Sequence, residues 1–193
     1  MTRYSPAKYA HDNDVNRLAT HPDRDFARVP VDIGETGFFV GHEFRYSRKL
    51  TIAATLWWRF TSPVPFIIRE QSFFVTAGEY EFRAYRAADV TAGGTWGETV
   101  PSFGKNTSPE RVEPFYNQQS VIETGGTVTI VNADNYSDFA GLKTSGGTGK
   151  QTTVGETANS ERYLAAGSYY LQFLPIGGTA TGAYNLVIEE RPQ

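Results

Sequence analysis

Cysteine is absent from this chain of 193 residues. Its absence excludes disulfides, thiolate metal sites and a cysteine nucleophile. Histidine is scarce: His11, His21 and His42 are the full complement. No two of them stand at metal-ligand spacing, and nothing around them specifies a zinc site or a hydrolytic triad. An excess of positive charge is missing too. The net charge of −3 gives no electrostatic case for nucleic acid. The longest apolar-looking stretch, residues 52–58, ends at Arg59 and falls far short of a membrane span. Residues 1–6 show no apolar h-region, so no signal peptide is expected. The chain reads as a soluble product of cytoplasmic synthesis that is stable without disulfides.

What is present favours strands. Aromatic residues make up 14% of the chain, and 19 glycines accompany a single methionine. That composition suits packed strands joined by tight turns. One pattern recurs three times: a glycine, any residue, a tyrosine, then apolar residues at every second place. Gly78 leads into Tyr80, Phe82 and Ala84. Gly167 leads into Tyr169, Leu171 and Phe173. Gly182 leads into Tyr184, Leu186 and Ile188. Period-two spacing puts each set on one face of a strand, so Tyr80, Tyr169 and Tyr184 are expected in the core or between sheets.

Residues 1–33 differ from the rest. They are polar and turn-rich, with scattered apolar anchors at Tyr4, Tyr9, Leu18 and Phe26. Such a segment reads either as a mobile tail or, as the scattered anchors fit better, as an arm that orders only against a neighbouring subunit. Residues 34–193 read as one β-sandwich domain. Leu50 to Phe60 reads as one bent strand, residues 66–70 and 71–75 as two strands, and residues 87–117 as a long excursion with short ordered pieces. Thr124-Gly125-Gly126 reads as a hairpin turn, and residues 175–181 as a second hairpin connection. About ten strands with no long helical pattern predict an all-β fold: an antiparallel two-sheet sandwich, jelly-roll-like, with an extended N-terminal arm.

Chemistry is sparse. The run Gly146-Gly147-Thr148-Gly149-Lys150-Gln151 lacks the first glycine and the final Ser or Thr of a phosphate loop. Asp134, Asn135 and Asp138 could offer oxygens to calcium, but the loop pattern of a calcium hand is missing, and a strand-connecting turn explains them. No acid pair stands in a glycosidase context. No catalytic, cofactor or metal residue is therefore assigned. Trp57-Trp58 and Trp96 suggest a contact surface. Adjacent tryptophans in a strand face opposite ways, so one belongs to the core. Trp58 and Trp96 join Tyr4, Tyr9, Leu18 and Phe26 as the expected partner contacts, for a protein interface or a sugar ring.

Two resemblances follow from particular residues. The last thirty or so residues, from Glu161-Arg162-Tyr163-Leu164 to Tyr169-Tyr170-Leu171 and through Gly182 to Ile188, resemble the closing strands of the pre-peptidase C-terminal type of β-sandwich. That implies a jelly-roll-like sandwich and no chemistry. A longer similarity rests on four blocks: residues 36–45, 60–66, 103–106 and 184–192. In order and wording they resemble virion structural proteins of tailed bacteriophages. This resemblance implies a non-enzymatic capsid decoration (cement) protein, or else a tail-fibre or adaptor module attached to the tail or binding a host-surface glycan. The implied location is the virion, and the implied partners are the major capsid protein, other virion proteins and further copies of this chain in a homo-oligomer, with no nucleic acid and no membrane.

Overall fold

The computed structural model describes residues 41–105, 116–143 and 162–192. The anchors Tyr4, Tyr9, Leu18 and Phe26 and the glycine-rich run around Lys150 lie outside them. Thirteen strands run through the described residues: β1 (Glu43–Ile52), β2 (Leu56–Ser62), β3 (Phe66–Ala77), β4 (Glu79–Arg86), β5 (Val90–Gly93), β6 (Glu98–Thr99), β7 (Ser102–Gly104), β8 (Val121–Thr124), β9 (Thr127–Ile130), β10 (Asp138–Lys143), β11 (Arg162–Leu164), β12 (Gly167–Pro175) and β13 (Ala180–Glu190). A single 3-10 turn, residues 87–89, is the one helical element among them.

The pairing has a simple rule. β1 pairs with β13, β2 with β12, β3 with β11 and β4 with β10, all antiparallel. The first strand therefore pairs with the last, the second with the next to last, and so on inward. Folding this ribbon over on itself brings β13 beside β3 and β12 beside β4. The result is two sheets, β11-β3-β13-β1 and β10-β4-β12-β2. Eight strands in this order form a jelly roll. The stretch between β4 and β10 extends both sheets at the far edge, with β7 beside β1 and β8 then β6 beside β2. It also contributes a separate two-stranded ribbon, β5–β9.

The glycine-tyrosine strands are β4, β12 and β13. Tyr80, Phe82, Phe173 and Tyr184 are buried between the sheets as their spacing predicts, and Tyr169 is half-buried. The rings pack on one another: Trp58 lies 5.0 Å from Phe173, Phe73 4.8 Å from Phe82, and Phe82 stacks on Tyr184 at 5.6 Å. Such pairs each add about 1 kcal/mol beyond the area they bury.

The connections differ from expectation. Residues 50–60 form two strands on opposite sheets, and residues 66–77 form one strand. Residues 176–179 do not close a hairpin; they carry the chain from β12 in one sheet to β13 in the other. Nor do β8 and β9 pair across Gly125-Gly126: β8 joins β2, and β9 joins β5. Gly78 makes the β3–β4 crossing. Its φ is +75°, and a Cβ there would lie 2.7 Å from the Thr179 carbonyl oxygen. The two crossings are thereby packed against each other, with Ile176 N–H donating to the Glu79 carbonyl at 2.9 Å. Between β3 and β13 the approach is closer still. A Cβ on Gly182 would fall 2.0 Å from the Phe74 carbonyl oxygen, beside a register shift between Thr181 and Gly182.

Candidate functional site

Three clusters of side chains stand apart from the general core. The first is the aromatic group on the outer face of the β2-β12-β4 sheet. Alternation along β2 sends Trp58 and Phe60 inward, and Trp57 and Arg59 outward. Trp58 is 1% exposed and sits in the inter-sheet core. It cannot be the surface contact its sequence context suggested, because Phe60 shares its face and fixes that face as the buried one. Trp57 packs with Tyr85, Tyr170, Val90, Val128 and Ile130, and the β5–β9 ribbon covers this small second core. Trp96 is half-buried there. Its ring lies edge-on to Tyr170 at 6.0 Å, and the Arg59 guanidinium sits 5.0 Å from its centroid. Arg59 is itself held by Glu123 at 2.6 Å. One face of Trp96 is thus occupied by a cation within the same molecule.

The second cluster surrounds the end of β13. Glu190 is fully buried and accepts from the backbone N–H of Ser120 at 2.7 Å, from that of Gln119 at 3.1 Å and from the Ser120 hydroxyl. Tyr46 donates to the Ser120 carbonyl at 2.8 Å and accepts from the Gln118 amide, which in turn accepts from Ser102. Glu189, also buried, holds Arg69 and Arg191. Glu43 holds Lys105 at 3.0 Å. Burial raises the Tyr46 phenol far above its ordinary range, and the nearby Glu190 raises it further, while hydrogen bonds from Ser120 and Gln118 act the other way. These carboxylates pin segments together; they do not face one another across a cleft.

The third is a cavity of about 350 Å³ between the two sheets, at the β10 and β11 edges. Phe60, Phe82, Leu171, Phe66, Ile68 and Leu186 supply apolar walls. Asp138 on β10 and Arg162 on β11 form an ion pair at 3.2 Å that bridges the two sheets at this edge. Tyr163, 63% exposed, stands on the lining as well. Burial lifts the Tyr184 phenol well above its ordinary range, and the Asp138 charge adds to the shift. Among the described residues Asp138 is the one carboxylate on the lining, and Arg162 pairs with it.

The candidate calcium ligands are drawn apart. Asn135 donates its amide to Asp89 at 2.5 Å, closing the turn before β10, while Asp138 pairs with Arg162. Among the described residues no group of three His, Asp or Glu side chains could hold a metal ion. His42 lies with its ring 4.2 Å from that of Tyr116. The cavity was missed in sequence, although one signal for it exists. Gln71 shares parity with Phe73 and Val75 on β3, which marks a polar residue on the core-facing side.

Comparison with protein-family models, curated protein sequences and solved structures finds no match to this chain.

Proposed function

We propose that this chain is a non-enzymatic structural protein of a tailed-phage virion, a decoration protein that stabilises the head lattice. The reading rests on the four sequence blocks that resemble virion proteins, and one structural observation supports it. The described parts of all four blocks come together around the first described residues, 41–45. Glu43 pairs with Glu189, and the His42 carbonyl accepts from Glu190 N–H at 3.0 Å. Phe66 pairs with Glu190, and the Pro65 carbonyl accepts from Arg191 N–H at 2.8 Å. Phe44 pairs with Gly104, while Lys105 N–H donates to the Glu43 carbonyl at 2.9 Å.

The logic is one of anchoring. A segment that gains order on a lattice delivers its binding energy only if its root does not move. Buried ion pairs and backbone hydrogen bonds fix that root here. The outer aromatic cluster supports a sugar-binding reading less well, since Trp58 is core and Trp96 is engaged by Arg59 and Tyr170. Deletion of residues 1–28 tests the proposal. The truncated protein is expected to keep its circular dichroism and melting temperature and to lose binding to undecorated particles. Full occupancy by the truncated protein would overturn the arm as the attaching element.

A further inference from the structure

An arginine ends the apolar face of β4. Tyr80, Phe82 and Ala84 alternate toward the opposite sheet, and Arg86 continues the same row. Arg86 is nevertheless exposed, and it stands on the lining of the inter-sheet cavity. It marks the open end of that space, while the stacked rings of Phe82 and Tyr184 lie at the other. Among the described residues Arg86 makes no ion pair and no side-chain hydrogen bond. The charges on the lining are uneven: Arg86 and Arg162 stand against Asp138 alone, and Asp138 is paired with Arg162. Arg86 is the cation left over. A β-bulge shapes the opposing wall. Ile68 pairs with Ile188 but Glu70 with Val187, so Arg69 is the extra residue in β3. In a regular strand the odd spacing of Ile68 and Gln71 would put them on opposite faces. The bulge brings both to the cavity and leaves Arg69 with Glu189.

Charge, length and wall chemistry together define the occupant. A cation at the mouth of an apolar space selects an anion with an apolar body, and a guanidinium presents paired donors to a carboxylate. Arg86 and Phe82 are separated by four residues of strand, about 13 Å. An extended decanoate chain matches that length. A cavity of about 150 Å³ accepts benzene, so one of about 350 Å³ accommodates roughly a dozen carbons. Phe60, Phe66, Ile68, Leu171 and Leu186 supply walls that would take methylenes out of water. Asp138 would repel a carboxylate, but it sits opposite Ala84, deeper along β4 than Arg86, and Arg162 offsets its charge.

We propose that the inter-sheet cavity binds a medium-chain fatty carboxylate, with its alkyl chain between the apolar faces of the two sheets and its head on the Arg86 guanidinium.

The test is calorimetric titration of the full-length protein with decanoate, decan-1-ol and decylammonium, each below its aggregation concentration, alongside thermal melting. The expected result is saturable one-to-one decanoate binding with a raised melting temperature. The alcohol, which leaves Arg86 without an anion, is expected to bind about tenfold more weakly, and the ammonium more weakly still. Arg86→Gln changes an exposed side chain at the end of β4. It is expected to weaken decanoate about tenfold and leave decan-1-ol unchanged. Ala84→Leu, which extends a side chain into the cavity, is expected to abolish binding of both while the protein still melts cooperatively. Should Ala84→Leu not fold, Leu164→Trp blocks the same space from β11 with the same expectation. Absence of decanoate binding would overturn the proposal and leave a cavity filled by water or by the chain itself. So would equal affinity for the alcohol or the ammonium, binding that survives the blocking substitution, or a decanoate affinity indifferent to Arg86→Gln.

Discussion

At the scale of single residues, the two kinds of information in the sequence had different reach. Adjacent Trp57 and Trp58 had to face opposite ways, and they do. Which one faces in follows from their neighbours: Arg59 shares the face of Trp57, and Phe60 that of Trp58. That parity was readable, and it reverses the choice of Trp58 as a surface contact. Tyrosine carries the residue-scale prediction. Burial raises the phenols of Tyr46, Tyr80 and Tyr184 above the ordinary value near 10. The unfolded chain thus releases these protons at lower pH than the folded one. The stability they contribute is complete below pH of about 10 and is lost progressively as pH rises above it. In an alkaline titration, part of the tyrosinate absorbance is expected to appear together with the loss of circular dichroism, as one cooperative step. Smooth ionisation of every tyrosine near pH 10 with the fold intact would contradict that burial.

Elements tell a second story. β4, β12 and β13 were legible because each keeps its alternation over a full strand with a glycine before it. Their connections were not. A turn rich in Gly, Pro and Thr looks the same whether it closes a hairpin or carries the chain to the opposite sheet; the difference lies in the partner strand, which is remote in sequence. Residues 176–179 and the pair Gly125-Gly126 were misread for that reason. The stretch between β4 and β10 was also read too loosely. It leaves one edge of the sandwich, builds β6, β7 and β8 on the other, and returns. Glu190 fastens this excursion to β13 through the backbone of Gln119 and Ser120. Glu190→Ala would strand the buried Ser120 N–H and remove the acceptor of the Gln119 N–H and the Ser120 hydroxyl. We expect it to lower unfolding free energy in urea by about 3 kcal/mol. Glu70→Ala, which removes a half-exposed partner 3.7 Å from Arg45, should cost less than about 1 kcal/mol. Equal losses for the two would show that Glu190 does not pin the segment.

On the scale of the whole molecule, the nested pairing of first strand with last makes the sandwich one cooperative unit. β13 lies between β1 and β3, and β12 between β2 and β4, so neither sheet closes until the C-terminal strands arrive. The sheet class was visible in composition and periodicity; the nesting was not, because no local signal specifies which of thirteen strands will meet. The same nesting brings the N-terminal root of the fold against its C-terminal end, where Glu43, Glu189 and Glu190 hold Lys105, Arg69 and Ser120. The firm hold on the first described strand is the observation from which a decorating role is proposed. The most direct test of the proposal is the copy number of this chain, counted by quantitative mass spectrometry against the major shell protein in purified tailed-phage particles produced by cells that express it. A decoration protein is expected at a fixed ratio to the shell subunit, at every equivalent lattice site. Absence from the particle, or a count equal to that of a tail ring or fibre, would contradict the account.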